Sequence, residues 1–309
     1  MGRQITLTAG NDSFSQSAVA DNVALQILGL AGDDTIILNR TDDLGGSNRV
    51  DAGIGNDAVV NHKEFGNIIR LGDGNDTYVG LGFGSFSTDR ADQVFGGAGA
   101  DTFAVQTFKS LYFGEAGNDL FHSVGWANTF HGGPGSDTIS YLPRSDETSV
   151  GVTVDLAAGT ALTSATRQER LISIENVIGS NNNDDLMGTN GANRLTGGLG
   201  FDVLEGRGGA DRFIFISAAD APISATQADI IMDFSRAQND KLNLQAIDAN
   251  VQVAGNQAFT FITTDFTRHA GELRFDGDFV MGDLNGDGRA DFRILMNEVA
   301  SMQASDFIL

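Results

Sequence analysis

From Gly179 to Ile214 the chain repeats one pattern without a gap, as GSNNNDDLM, GTNGANRLT, GGLGFDVLE and GRGGADRFI. A nine-residue beat is neither the period of a helix nor the alternation of a single strand. Each copy opens on a polar, mostly glycine-rich turn and carries Asp184, Asn193, Asp202 or Asp211 at its sixth place. One apolar residue stands at the eighth: Leu186, Leu195, Leu204 or Phe213. Glycine tolerates positive φ, so such a turn can aim its carbonyls inward without a Cβ clash. The short strand that follows needs a single inward side chain, which the eighth position supplies. Two half-turns close one coil of a solenoid, and coils must stack because none buries its apolar residue alone.

The same frame recurs upstream as GLAGDDTII, AGIGNDAVV, LGDGNDTYV, GGAGADTFA, GEAGNDLFH and GGPGSDTIS. These copies put Asp34, Asp57, Asp76, Asp101, Asp119 and Asp137 at position six, and a worn copy, GNDSF, adds Asp12. Stacking sets these carboxylates beside the carbonyls of neighbouring turns, an oxygen-only environment suited to Ca²⁺. The expected ligand-bearing turns therefore include Gly55, Gly74, Gly99, Gly117, Gly135, Gly200 and Gly209 at position four, each two residues before its aspartate. Several ions are expected. Asp101, Asp119 and Asp137 lie 18 residues apart, as do Asp184 and Asp202, and should stack directly. Asp34, Asp57, Asp76 and Asp101 are separated by 23, 19 and 25, so those coils carry insertions that are expected to displace their turns.

A second ladder, four residues before the glycine turns, reads Asn48, Asn67, Asp92, Ser110, Asn128 and Asn193. Amides can hydrogen-bond along a solenoid without a metal. The first half of the chain is thus expected to bind calcium mainly along one edge, and the 179–214 block along both.

Composition agrees. Against 19 basic residues stand 41 acidic ones, a net charge of −22, which argues against nucleic-acid or anionic-membrane binding, since both require clustered cations. Hydrophobic content of 41% indicates a folded core, and with no cysteine no disulfide can support it. The start, MGRQITLTAGND, has no apolar segment of a cleaved signal, and no stretch reaches the roughly 18 apolar residues of a membrane span.

The nonapeptides resemble the RTX calcium-binding repeat, which implies an all-β fold, a parallel β-roll or β-solenoid with a β-rich C-terminal cap. From about Leu171 the chain also resembles the C-terminal domain of the serralysin family of bacterial secreted metalloproteases, through ADIIMDFSRAQNDKLNL, NQAFTFI, HAGELRF, GDLNGDGRADFRILM and ASDFIL. That resemblance implies secretion from a Gram-negative bacterium by a type I exporter that reads the acidic-then-apolar terminus Asp306, Phe307, Ile308 and Leu309. Those four residues are expected to serve export and not folding. The expected organisation is a degenerate roll over 1–145, a β connecting segment over 146–178, a regular roll over 179–216, and the cap with export signal over 217–309.

The serralysin zinc motif HExxHxxGxxH is absent. The histidines are His62, His122, His131 and His269, and NHKEFG around His62 has the wrong spacing for two ligands on one helical face. His122 and His131, nine apart, could form a surface pair. No GxSxG elbow or thiol nucleophile is present. In DLNGDGRAD, Asp283, Asn285, Asp287 and Asp291 copy part of an EF-hand loop, but Ile294 replaces the bidentate glutamate. One further ion or a plain hairpin turn would each account for it.

The expected function is a secreted, non-enzymatic calcium-binding protein with a structural or adhesive role. The alternative is an enzyme or lectin-like module for extracellular polysaccharide. Its site would be the insertions NRTDDLGGSN, NHKEFGN and GLGFGSFSTDRAD, where Phe83 and Phe86 lie near Arg40, Lys63 and Arg90. These loops would contact an anionic glycan or a second copy.

Overall fold

The computed structural model describes residues 3–18, 23–39, 46–62, 65–82, 91–146, 150–224 and 227–309. Every regular element among them is a β-strand or a short 3₁₀ turn, so the fold is all-β. The chain divides into two compact units. Met1–Arg144 with Gly159–Ile174 forms one, and Ser145–Ala158 with Glu175–Leu309 the other. The connecting segment is therefore shared between the units.

In the first unit, Leu25–Leu28, Arg49–Ile54, Ile68–Asp73, Gln93–Ala98, Leu111–Ala116 and Thr129–His131 stack as parallel neighbours on one face. Thr35–Leu38, Ala58–His62, Thr77–Leu81, Thr102–Val105, Leu120–Ser123 and Thr138–Ser140 do the same on the other. The chain alternates between the faces, as a parallel β-solenoid must. Arg167–Ile172 adds to the first face in parallel and pairs with Thr160–Ser164 as an antiparallel hairpin.

Position eight fills the core. Ile36, Val59, Tyr78, Phe103, Phe121 and Ile139 are all 0% exposed, as are Leu186, Leu195, Leu204 and Phe213 in the second unit. Because stacked coils superimpose equivalent positions, the aromatic ones meet face to face. Phe103 and Phe121 lie 4.7 Å apart, and Tyr112 stacks on Phe130 at 5.4 Å. Each such pair adds about 0.5–1.5 kcal/mol beyond the area it buries.

A polar knot closes the core where the hairpin joins the last coil of the first unit. Glu169 accepts hydrogen bonds from Ser123 Oγ (2.8 Å), Tyr141 Oη (3.1 Å) and Asn128 Nδ2 (3.2 Å). Arg144, also buried, donates to the carbonyls of Val124 and Gly125. Burial pushes the Glu169 carboxyl up to about 7, against the pull of these donors and of Arg144.

In the second unit Thr153–Asp155, Asp185–Met187, Val203–Glu205 and Ile230–Ile231 form one face. Asn176–Ile178, Arg194–Thr196, Arg212–Ile214 and Lys241–Asn243 form the other. The roll thus extends beyond residue 216. Phe292–Met296 continues the first face in parallel, then Phe279–Asp283 and Glu272–Phe275 join it as antiparallel strands.

The C-terminus is part of this fold, contrary to the expectation of a free export tag. Phe307 and Ile308 pair with Leu242 and Asn243, and buried Asp306 takes a 2.6 Å contact from Arg236. Burial alone would raise the Asp306 carboxyl. The Arg236 guanidinium and the Gln303 amide outweigh it and hold the group below the usual carboxylate range. Deleting Asp306–Leu309 should therefore lower the thermal unfolding midpoint in saturating calcium. An unchanged midpoint would return the terminus to a purely signalling role.

Candidate metal centre

Asp34, Asp57, Asp76, Asp101, Asp119 and Asp137 at position six are buried, at most 2% exposed, and run along one edge of the first unit. Each uses one carboxylate oxygen to hold the preceding coil. The Asp12 amide donates to Asp34 Oδ1, Asp34 to Asp57, Asp57 to Asp76, Asp76 to Asp101, Asp101 to Asp119 and Asp119 to Asp137, all at 2.7–2.9 Å. Insertions do not interrupt this ladder. In chain order the extra residues follow the strands Thr35–Leu38 and Thr77–Leu81, not the strands that lead into the aspartate turns, and the expected displacement of the Asp34, Asp57 and Asp76 turns is absent. Arg40, Lys63, Phe83, Phe86 and Arg90 lie outside the described residues.

The other oxygen is the informative one. Oδ2 of Asp34, Asp57, Asp76, Asp101, Asp119, Asp202, Asp211 and Asp229 is buried and accepts no hydrogen bond. A buried charged oxygen without a partner costs several kcal/mol, so one isolated instance would already need an explanation. At Asp34, Asp101, Asp119, Asp202 and Asp211 a position-one glycine holds space open around this atom. A Cβ on Gly96 would sit 2.2 Å from Asp101 Oδ2 and 2.6 Å from the Gly114 carbonyl of the next coil. On Gly114 it would sit 2.0 Å from Asp119 Oδ2 and 2.7 Å from the Gly132 carbonyl. A carboxylate oxygen and a carbonyl of the neighbouring coil therefore converge beside each glycine.

Among the described residues no three carboxylate or imidazole side chains gather at one point. An ion here would draw much of its ligand set from main-chain carbonyls. That donor chemistry fits Ca²⁺, which takes oxygen alone in flexible geometry, and does not fit zinc.

On the opposite edge of the first unit the donors are already matched. Asn48 donates to Asn67 Oδ1, Asn67 to Asp92 Oδ1, and the Ser110 amide to Asn128 Oδ1, at 2.8–3.1 Å. In the second unit both edges carry aspartate turns. The Asp184 amide donates to Asp202 and Asp202 to Asp229 on one edge, and Asn193 to Asp211 and Asp211 to Asp240 on the other. Asp229 and Asp240 have no glycine turn before them, yet each precedes a buried core residue by two, Ile231 and Leu242. That short Asp-x-apolar signature was readable in the sequence.

Two other expected centres look different. In the Asp283 loop the Asp283 and Asp291 carboxylates are engaged within the turn itself: Asp283 Oδ1 accepts from Asn285 and Gly286, its Oδ2 from Gly288, and Asp291 from Leu284 and Asn285. The Asp287 carboxylate accepts from the Arg289 amide. The loop joins two antiparallel strands and reads as a hairpin turn. His122 and His131 belong to opposite faces of the roll, and His131 stacks on Phe113 at 4.6 Å, so they form no pair.

A family model described as Peptidase M10 serralysin C terminal matches residues 135–309, more than half of the chain. The chain belongs to that family. The RTX calcium-binding nonapeptide repeat model matches residues 86–104 and 127–140, and no protease-domain match accompanies these two. Comparison with curated proteins gave no match. An RTX repeat implies calcium binding, and the unpartnered Oδ2 atoms are where the serralysin-type roll has oxygen to give.

Without a cation, burial raises these carboxyls above the usual range, opposed by the ladder amides and assisted by neighbouring aspartates. Asp76 and Asp184 reach about 6, Asp101 and Asp211 about 7, Asp229 about 8 and Asp202 about 9. Raised folded-state values stabilise the metal-free fold below the unfolded value near ~4 and cease to do so as pH climbs through those higher values. The metal-free chain should therefore gain β-structure on acidification toward pH 4 and lose it between about pH 6 and 9. Circular dichroism in chelator follows this directly. Structure that instead grows with rising pH would contradict it.

Proposed function

We propose that this chain is exported unfolded through a type I exporter and folds outside the cell when its aspartate turns take up calcium. There it acts as a non-enzymatic structural or adhesive element. The observation that carries the reading is the row of buried, unpartnered Oδ2 atoms beside carbonyls of adjacent coils. Asp34, Asp57, Asp76, Asp101, Asp119, Asp137, Asp202 and Asp211 would hold the ions, with Asp229 added to them. The ion supplies positive charge between carboxylates that otherwise repel one another. The Asp283 loop and Asp184 are the weakest members of the expected set, since their own amides and hydroxyls already occupy the carboxylates.

The family and its repeats support secretion, and burial of the repeat carboxylates supports a structural use of them. A reading as a polysaccharide-acting protein would rest on the insertion loops around Phe83 and Phe86, which lie outside the described residues.

Each site binding only the folded chain adds about 2.7 kcal/mol at 100 times its Kd, and extracellular modules bind near ~10⁻⁴ to 10⁻³ M. The chain should thus be unfolded at cytosolic calcium and fold cooperatively at millimolar calcium, read by circular dichroism across a titration. A full β spectrum in excess chelator at pH 7 would contradict the coupling. Asp119→Ala and Asp34→Ala should each shift the titration midpoint to higher calcium, because both occupy unbroken ladder positions. Midpoints unchanged from the parent would remove these turns from the metal sites.

A further inference from the structure

Apart from the Asp137 turn, where Gly133 at position two has a positive φ (115°) and Gly135 at position four does not, the nonapeptide turns fall into two conformations, and the residue at position two separates them. In the nonapeptide turns of Asp34, Asp57, Asp76, Asp101, Asp119, Asp202 and Asp211, where Oδ2 lacks a partner, position two has a positive φ: Leu30 (81°), Gly53 (117°), Gly72 (120°), Gly97 (118°), Glu115 (70°), Gly198 (101°) and Arg207 (69°). The position-two amide does not reach the carboxylate in any of these turns. Position four is also left-handed, at Gly32, Gly55, Gly74, Gly99, Gly117, Gly200 and Gly209.

Three turns break the pattern together. Position two is Thr8, Ser180 or Thr189, and neither it nor position four (Gly10, Asn182, Gly191) has a positive φ. Here the position-two amide turns inward and donates to the position-six side chain. Thr8 N–H reaches Asp12 Oδ2 at 2.7 Å, Ser180 N–H reaches Asp184 Oδ2 at 2.5 Å, and Thr189 N–H reaches Asn193 Oδ1 at 2.6 Å. The hydroxyl donates to the same groups: Thr8 Oγ1 to Asp12 at 2.7 Å, Ser180 Oγ to Asp184 at 2.9 Å and Thr189 Oγ1 to Asn193 at 3.1 Å. Two donors stand where an open turn has none.

We infer that position two decides which turns take calcium, and that Ser or Thr there latches the turns of Asp12, Asp184 and Asn193 into a metal-free form. The inference rests on the calcium reading above and adds to it which turns are excluded, and by what. A hydroxyl and an amide aimed at the carboxylate satisfy the oxygen a cation would use, and a donor N–H pointed into the site repels a cation. The latched turns also have a shared place. Asp12 precedes Asp34 on the ladder of the first unit, and Asp184 and Asn193 precede Asp202 and Asp211 on the two ladders of the second. Each ladder so starts from a turn that holds its shape without metal and presents an ordered amide to the first calcium turn.

One substitution isolates the effect. Residues 7–12 read Leu-Thr-Ala-Gly-Asn-Asp, and residues 71–76, an open turn, read Leu-Gly-Asp-Gly-Asn-Asp. Thr8→Gly supplies the missing glycine at an exposed position. Calcium stoichiometry of the full chain, by equilibrium dialysis with terbium luminescence as a second readout, should rise by one ion over the parent. Ser180→Gly combined with Asn182→Gly should add one ion at the Asp184–Asp202 step. The exposed Thr8 variant is expected to fold even if the buried Ser180 one does not. A folded Thr8→Gly chain with the parent's stoichiometry overturns the inference. A parent chain that binds no calcium at all would instead overturn the reading on which it rests.

Discussion

The structure depends on a carboxylate used in two directions. One oxygen of each position-six aspartate accepts the amide of the preceding coil, and this bond fixes coil on coil whatever the length of chain between them. Burying the group for that purpose leaves its second oxygen inside the fold. Carboxylates one coil apart, about 4.8 Å in a stacked sheet, repel by roughly 3.5 kcal/mol per neighbouring pair at an effective dielectric of about 20. Along the aspartates of one ladder this sum exceeds the ~5–15 kcal/mol by which a domain is stable. The ladder therefore needs a cation or protons, and at neutral pH outside a cell calcium is the available one.

The core and most of the site were legible because the nine-residue beat fixes them locally. Position eight is buried in all ten full copies of the frame, and position six faces its neighbour even in coils with inserted residues. What the sequence concealed depends on contacts across coils. Asp229 and Asp240 follow Asp202 and Asp211 after 27 and 29 residues, so no fixed spacing reveals them and only the short Asp-x-apolar signature marks them. Position five carries a second, exposed ladder, in which Asn11, Asn56, Asn75, Asn118 and Asn183 accept amides from the next coil. Its recurrence at one place in the frame was readable. Glu169, Tyr141 and Arg144 meet only because a hairpin folds back on the last coil, and no local pattern signals that.

The C-terminal residues show the opposite failure, a signal read too narrowly. An acidic-then-apolar ending fits an export signal, yet the same chemistry builds a salt bridge and a strand once the chain folds. The two uses are compatible if export precedes folding, since an unfolded chain leaves the terminus free. Non-glycine residues at positive φ carry a related tension. Leu30, Glu115 and Arg207 each hold a conformation costing about 1–2 kcal/mol, and each sits at position two of an open turn. Strain is retained where it keeps the amide away from the carboxylate.

Anomalous scattering from crystals grown in calcium tests the central claim most directly. Peaks should stand between successive coils against Oδ2 of Asp34, Asp57, Asp76, Asp101 and Asp119, with carbonyls of the neighbouring turn completing each shell. An ordered roll whose aspartate edge shows no anomalous peak would contradict the account.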